Sequence, residues 1–413
     1  MDNVTHTLIG VVIGEAAHRF LPPSAVLSDR QRRGIAIGVM AVGGNLPDAD
    51  VIYTGVLNTP LDYLLHHRGH THTLIGALGL SLLMFLVVRL WWRYRKIRPR
   101  PADLGMLAGL AVLGPLVHIG LDLTNSFGVH PLWPVDDHWY YGDSVYIVEP
   151  LLWACAAVLL FVLPGRIPRV LVGVVLTAGV GLAWFSGFVP VVFAAVLTLL
   201  TAGMIAVGRF TSPRVAIASG LTAWLAVTAV LVGAGRTAKN QVEEVLADRF
   251  PAARTLDTVL TPLPADPACR QVLAVQISGD QYVIRKAYHS LAPGLITAER
   301  CSRLYPGGGE TDAPLVPVAQ PSTAAIAWVG ELSIAADTFR TLSGEYCAVR
   351  TLMQFARAPY AAPRGDGWTV ADLRFDGETG PSIFEVEVGP GQDQCPRVRA
   401  PWLPPREDVL RGR

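Results

Sequence analysis

The chain has 413 residues, of which 51% are hydrophobic and only 16% are charged, and its mean hydropathy is +0.38. Soluble domains carry about 25% charged residues, whereas charge is scarce where side chains face lipid. The composition therefore argues against an ordinary soluble protein and predicts a membrane protein. The net charge of +1 argues against a nucleic-acid partner, because such proteins normally present a basic face.

Apolar segments in the first 235 residues predict about eight helices, with shorter ones tolerated inside a bundle. They cover residues 5–20, 34–46, 71–92, 104–121, 145–163, 168–186, 188–207 and 214–235. The first two are short and contain the glycine pairs Gly10/Gly14 and Gly34/Gly38, which predict close helix packing. These two segments either cross the membrane or are re-entrant or interfacial. The last four have the composition of conventional spans.

Basic residues between these helices predict the orientation of the chain. They form four clusters, at residues 30–33, 93–100, 166–169 and 209–214. With about eight crossings all four lie on one side of the membrane, and an excess of Lys and Arg marks the cytoplasmic side. The N-terminus and everything after Arg236 are then predicted to lie outside, in the periplasm of a cell with two membranes.

Residues 236–413 are more polar and rich in proline. They are predicted to begin with an amphipathic helix at 237–250 and to contain another helix at 336–356. Strand-like segments occur at 271–278, 281–290, 324–334, 368–375 and 382–388. The predicted fold class is therefore an all-α polytopic membrane helix bundle of about eight helices, followed by a small mixed or mainly β extracytoplasmic domain.

The cysteines are distributed unevenly between these two regions. Cys155 lies within an apolar segment and is predicted to be a small packing residue. The other four, Cys269, Cys301, Cys347 and Cys395, all lie in the polar C-terminal region. Four cysteines in an exported domain predict two disulfides, with three connectivities open; the alternative is a chance clustering of reduced thiols.

Nine of the ten histidines precede residue 140, in a region that is otherwise apolar. With nearby aspartates they form four groups at predicted helix ends. The groups are His6; Asp48 and Asp50; His66, His67, His70 and His72; and His118 with Asp122. Under the topology above, all four groups reach the outer membrane face, which predicts a shared site. His66 and His70 are expected to take no direct part in it.

A divalent metal ion is the expected occupant of this site. Imidazoles and carboxylates near a bilayer are costly unless they are paired or coordinated, and both suit zinc. His118 and Asp122 stand four residues apart, so a helix places them on one face, and His67 and His72 flank a Gly-containing turn. The roughly seven candidate ligands exceed the four that one zinc ion uses. Two alternatives therefore stay open for the site: two metal ions, or one metal ion and a general base. For any single group, an ordinary hydrogen-bonded pair is the alternative.

The segments THTLIG, NLPDAD, HRGHTHT, HIGLDLTNSFGVHPLWPV and DSVYIVEP, in this order, resemble the YdjM-like family of LexA-regulated, inner-membrane metal-dependent hydrolases. The resemblance covers roughly residues 1–155. That family is distantly similar to zinc-dependent phospholipase C and single-strand-specific zinc nucleases. The resemblance implies a ligand set, with Asp50 also part of the pattern. The implied ligands are His6, Asp48, His67 or His72, His118 and Asp122. Glu149 stands where the family's segment is expected to have Asp.

These observations predict a metal-dependent hydrolase that acts on a phosphoester or phospholipid-like substrate at the outer face of the cytoplasmic membrane. Asp50 is the candidate general base if it is not a ligand. Arg68, expected at the rim, either balances phosphoryl charge or contacts a lipid headgroup or helix end. Glu149 is expected to orient a histidine. The alternatives are a non-enzymatic transport or metal-handling protein and an envelope scaffold.

Three regions follow from this interpretation. Residues 1–155 are the predicted hydrolase core, residues 156–235 are additional transmembrane helices, and residues 236–413 are the extracytoplasmic domain. The expected partners are membrane lipids and the lipid or phosphoester substrate.

Overall fold

A computed structural model describes residues 1–57, 59–305, 313–375 and 382–411. Its N-terminal region is helical, and its C-terminal domain contains two antiparallel sheets. The N-terminal helices are α1 (Asn3–Phe20), α2 (Asp29–Gly43), α3 (Asp50–Leu57), α4 (Pro60–His66), α5 (Leu74–Tyr94), α6 (Pro101–Asp122), α7 (Pro150–Cys155), α8 (Leu159–Val162), α9 (Arg166–Phe185), α10 (Val191–Phe210) and α11 (Pro213–Arg249).

Each of the eight predicted segments contains a helix, so the predicted helical bundle is confirmed. Within the described part of the chain, five helices are long and apolar enough to cross a membrane: α5, α6, α9, α10 and α11. A sixth span arises if α2 and the segment Pro47–Val56, bent by 55°, are counted together. Five or six spans replace the predicted eight crossings. The bent pair is either a broken span or a re-entrant loop, so the crossing and re-entrant alternatives for the second segment both stay open.

Close glycine packing joins α1 to α2. A Cβ atom built on Gly10 would lie 2.7 Å from the carbonyl oxygen of Met40, and one on Gly14 would lie 2.6 Å from the Cα of Ile37. By contrast, a Cβ on Gly34 or Gly38 would meet no atom of the described residues within 4 Å. The prediction of close packing is therefore confirmed for the first glycine pair and wrong for the second, whose backbone faces open space.

The last transmembrane helix continues into the C-terminal domain. Helix α11 is 37 residues long and includes the segment that was predicted as a separate amphipathic helix. Neither proline nor glycine interrupts it after Gly235, so the helix propagates. Its apolar residues Ala238, Val242 and Leu246 recur every four positions and pack against the first sheet.

The C-terminal domain has a four-stranded sheet in the order β1-β2-β3-β4 and a three-stranded sheet in the order β5-β6-β7, both antiparallel. This agrees with the predicted mixed or mainly β domain, although the first and fifth strands were not predicted. The strands are β1 (Arg254–Leu263), β2 (Asp266–Ser278), β3 (Gln281–Ser290), β4 (Ile326–Ala335), β5 (Pro359–Arg364), β6 (Gly367–Asp372) and β7 (Glu385–Val388), and the helices are α12 (Ala298–Ser302), α13 (Asp337–Glu345), α14 (Cys347–Leu352) and α15 (Glu407–Arg411).

The helix predicted at 336–356 is two helices, α13 and α14, which are separated at Tyr346. The backbone of Tyr346 is extended, and the carboxylate of Asp393 accepts hydrogen bonds from the N–H groups of Cys347 and Ala348. This carboxylate caps α14 and stabilises a new helix start where the pattern predicted continuity.

Two disulfides lie in the C-terminal domain, as predicted from the four clustered cysteines. They join Cys269 to Cys301 and Cys347 to Cys395. Cys155 is free and buried, and its thiol donates to the carbonyl oxygen of Leu151. The predicted packing role of Cys155 is confirmed.

The C-terminal domain docks on one end of the helical region. Helix α4 contributes Leu61, Leu64 and Leu65 to the largest apolar core of the domain. The indole N–H of Trp402 donates to the carbonyl oxygen of Leu65 over 2.6 Å. The guanidinium of Arg374 donates to the carbonyl oxygen of Ser126 over 2.7 Å. These contacts place the domain beside the His-rich turn that follows α4.

Candidate metal centre

Four side chains from three separate segments meet at the end of the helical bundle that the C-terminal domain covers. Asp48 lies in the 3₁₀ turn Pro47–Ala49 after α2, and His72 lies in the turn His70–His72 before α5. His118 and Asp122 lie in the last turn of α6. One ligand atom from each residue falls within 4.8 Å of the others. We call Asp48, His72, His118 and Asp122 the four-residue cluster.

The separations within the cluster fit a small cation. The Nε2 atoms of His72 and His118 are 3.0 Å apart. His72 Nε2 is 3.4 Å from an oxygen of Asp48 and 3.4 Å from an oxygen of Asp122, and the corresponding distances from His118 Nε2 are 3.5 and 3.6 Å. Ligands at about 2.0–2.1 Å from a tetrahedral zinc lie roughly 3.3 Å from one another. The donor atoms therefore surround a space of the right size.

Neighbouring groups turn the imidazole nitrogens toward this space. Nδ1 of His118 lies 2.7 Å from the carbonyl oxygen of Gly44, which can only accept, so Nδ1 carries the proton and Nε2 is free to coordinate. Nδ1 of His72 faces the carboxylate of Asp50 at 3.4 Å and the hydroxyl of Thr71 at 3.1 Å. A carboxylate or carbonyl behind a histidine is the usual arrangement at metal sites.

His6 joins the cluster from α1. The N-cap Asp2 begins this helix by accepting the N–H groups of Val4 and Thr5, which places His6 in the first turns. Its fully buried ring stacks on His118 with centroids 3.8 Å apart, and its Nε2 is 3.4 Å from Asp122.

Among the described residues, Nδ1 of His6 has no hydrogen-bond partner, and the contact of its Nε2 with Asp122, at 3.4 Å, is long for a hydrogen bond. Because buried polar atoms rarely lack partners, the His6 ring points to a ligand that completes the site.

A second group of donors adjoins the first and shares Asp48. Ligand atoms of Asp48, Asp50 and His67 also lie within 4.8 Å of one another. His67 Nδ1 is 3.0 Å from Asp50 Oδ1, while Asp50 Oδ2 accepts the backbone N–H of Arg68 and the hydroxyl of Thr71. The side chains of Asp48 and His67 are each 13% exposed, so the accessible edge of the centre lies here.

Arg68 lies inside the centre rather than at its rim, which corrects the sequence-based expectation. It is 2% exposed, and its Nε is 3.0 Å from Asp122 Oδ2. Its Nη1 donates to Asn125 over 3.0 Å, and the guanidinium lies over the ring of Phe127. The amino group of Met1 also contacts Asp122. Arg68 therefore balances the buried charge of Asp122, and Asn125, which sequence reasoning missed, fixes its orientation.

Three carboxylates surround His72. Burial alone would lower the pKa of His72, but the carboxylates of Asp122, Asp48 and Asp50 outweigh burial and raise this pKa to about 10. The same carboxylates would favour a divalent cation in this place.

Glu149 does not join the centre, so its predicted role in orienting a histidine is wrong. It is the N-cap of α7, and its carboxylate accepts the N–H groups of Leu151 and of Ala265, in the β1–β2 turn. Burial raises the pKa of Glu149 to about 8. Its contacts connect the helical region to the C-terminal domain.

His66 and His70 make contacts apart from the cluster. His66 Nε2 is 3.2 Å from the carbonyl oxygen of Val398, and the ring of His70 packs against Trp133 and Trp402. His130 packs between aromatic rings, and burial lowers its pKa to about 3. Gly44 contributes only a backbone carbonyl, so no side-chain pattern in the sequence could have found it.

A model of the YdjM inner membrane protein family matches residues 1–237 of the chain. The matched region is longer than the resemblance seen from motifs, and it includes the whole candidate centre, α9, α10 and most of α11. No curated protein and no solved structure matches the chain. Because the match covers more than half of the 413 residues, the chain belongs to the YdjM inner membrane protein family.

Proposed function

We propose that this protein is a metal-dependent hydrolase that cleaves a phosphoester at the outer face of the cytoplasmic membrane. The observation that carries the proposal is the convergence of the four-residue cluster with His6 in a buried site, where Nδ1 of His6 has no hydrogen-bond partner among the described residues. Membership of an inner-membrane family with several spans supports the membrane location.

The chemistry of the donors favours zinc. When bound, a divalent ion supplies Lewis-acid activation of the phosphoester and an activated water. His72, His118, Asp48 and Asp122 would hold this ion, and His6 is a further donor. The second group offers donors for another ion at the accessible edge.

The residues around the centre have separate roles. Asp50 positions His72 and the turn that carries it, and it is also a candidate ligand or general base. Arg68 compensates the charge of Asp122 and leaves the remaining ligands to bind a cation.

The proposed location rests on the C-terminal domain. Its two disulfides suggest an extracytoplasmic compartment, because disulfides persist in oxidising environments. This domain covers the end of the bundle where the candidate centre lies, so both belong to the same side. A C-terminal reporter that is active only in the cytoplasm should be silent. Strong activity of this reporter would refute the proposed side.

Metal analysis and hydrolysis assays test the function together. Purified full-length protein is expected to contain zinc or a similar ion and to hydrolyse chromogenic phosphoesters or phospholipids. The His118→Ala and Asp122→Ala variants should lose both properties. His138→Ala is the matched control, because its side chain is 61% exposed and pairs with the nearby Asp136. Wild-type protein without bound metal, or variants with wild-type hydrolysis, would contradict the proposal.

A further inference from the structure

An apolar groove lies between α2 and α5, which make few contacts along their length. Its volume is about 450 Å³, within the range of roughly 300–1,000 Å³ typical of ligand sites. The groove is lined almost entirely by carbon atoms. Residues that line it include Ile35, Val39, Val42, Leu46, Val87 and Trp91.

The groove lies in the membrane-embedded part of the chain. Helix α5 is one of the candidate spans, and α2 belongs to the bent pair. The positions from Leu83 to Trp91 that line the groove extend over roughly 12 Å of helix axis. Surfaces of this composition and depth are occupied by hydrocarbon chains rather than by water.

One end of the groove is lined by a residue that lies close in the chain to the candidate centre. Leu46 lines the groove, and Asp48, which is one of the partly exposed members of the centre, follows two residues later. On the next helix, α3, Val51, Ile52 and Val56 are exposed apolar side chains, between 46% and 74% accessible. The accessible edge of the centre therefore adjoins a surface that suits lipid.

We propose that this α2–α5 groove holds an acyl chain of a lipid whose phosphoester headgroup reaches the metal centre laterally from the membrane. The inference rests on the proposed function and names its substrate class as a long-chain phospholipid. Lipid tails are as apolar as the groove, so moving a chain from bilayer to groove gains little free energy. The groove acts by positioning the ester at the centre.

A photo-crosslinking experiment tests the groove independently of catalysis. The probe is a phospholipid with a diazirine in the middle of its acyl chain, applied to full-length protein in detergent. Peptides of α2 and α5 are expected to be labelled in preference to the lipid-facing surfaces of α9 and α10. Equal labelling of all these helices would overturn the proposal, as would crosslinks between two copies of the chain across the groove.

A groove-filling variant provides the second test. A Cβ on Gly38, which lines the groove, meets no atom within 4 Å, so Gly38→Phe can place its ring there without displacing backbone. Gly109→Phe is the matched control, because Gly109 is equally open but lies on α6 outside the groove. Gly38→Phe should lower acyl-chain labelling at least fivefold, and the control should not.

Hydrolysis by the same variants separates the two proposals. Gly38→Phe should lower kcat/KM at least tenfold for a long-chain phospholipid and leave a water-soluble phosphoester unaffected. Equal effects on both substrates, or no effect on either, would overturn the role of the groove while the proposed function stands. If wild-type protein hydrolyses neither substrate, the proposed function fails, and the labelling pattern still decides whether the groove binds an acyl chain.

Discussion

Substitution of Asp50 by Asn separates a positioning role from direct metal ligation. Both oxygens of the Asp50 carboxylate are engaged, one by His67 Nδ1 and the other by the N–H of Arg68, the hydroxyl of Thr71 and His72 Nδ1. Asparagine retains one acceptor oxygen and loses the negative charge. The support behind His72 is therefore weakened, while the four-residue cluster keeps all of its own donors.

The expected magnitude follows from these contacts. Loss of a group that orients a metal-bound histidine costs about 10–100-fold in metal affinity. This corresponds to about 1.4–2.8 kcal/mol, because each tenfold change is about 1.4 kcal/mol. We expect Asp50→Asn to bind the first equivalent of zinc with this loss of affinity and an unchanged stoichiometry.

Competition between purified protein and a zinc-binding dye measures this affinity, and elemental analysis gives the stoichiometry. Asp136→Asn is the control, because the Asp136 carboxylate contacts His138 and Tyr140 outside the centre. An Asp50→Asn variant with the affinity of the wild type would refute the positioning role. Loss of one full equivalent of metal would instead identify Asp50 as a ligand in the second group.

Three further predictions concern the architecture that supports the centre. Arg357→Met should destabilise domain docking by about 3–5 kcal/mol in unfolding or limited proteolysis experiments, because buried Asp143 loses its cation and Asp257 keeps only the longer contact with Arg406. Arg364→Met, at an exposed ion pair, should cost less than about 1 kcal/mol. Gly10→Ala should lower the Tm by separating α1 from α2, and an unchanged Tm would contradict the packing argument. Peptide mapping of unreduced protein from the native envelope should recover both disulfides, and four free thiols would refute them.

Local patterns in the sequence determined much of the architecture. Each of the eight predicted apolar segments contains a helix, because helix formation and burial in lipid depend on nearby residues, but the short helices α3 and α4 were not predicted. The positions of the basic loops predicted that His6, Asp48, His118 and Asp122 share one membrane face, and the structure brings these side chains together.

Other features depended on how separate segments pack. The sequence left His67 and His72 as alternatives, and the turn between α4 and α5 places His72 in the four-residue cluster and His67 in the second group. Glu149 was expected near a histidine, but its carboxylate instead faces the turn between β1 and β2. The groove between α2 and α5 arises from the spacing of two helices. Such contacts join residues far apart in the chain, so their partners are chosen by tertiary packing and not by local periodicity.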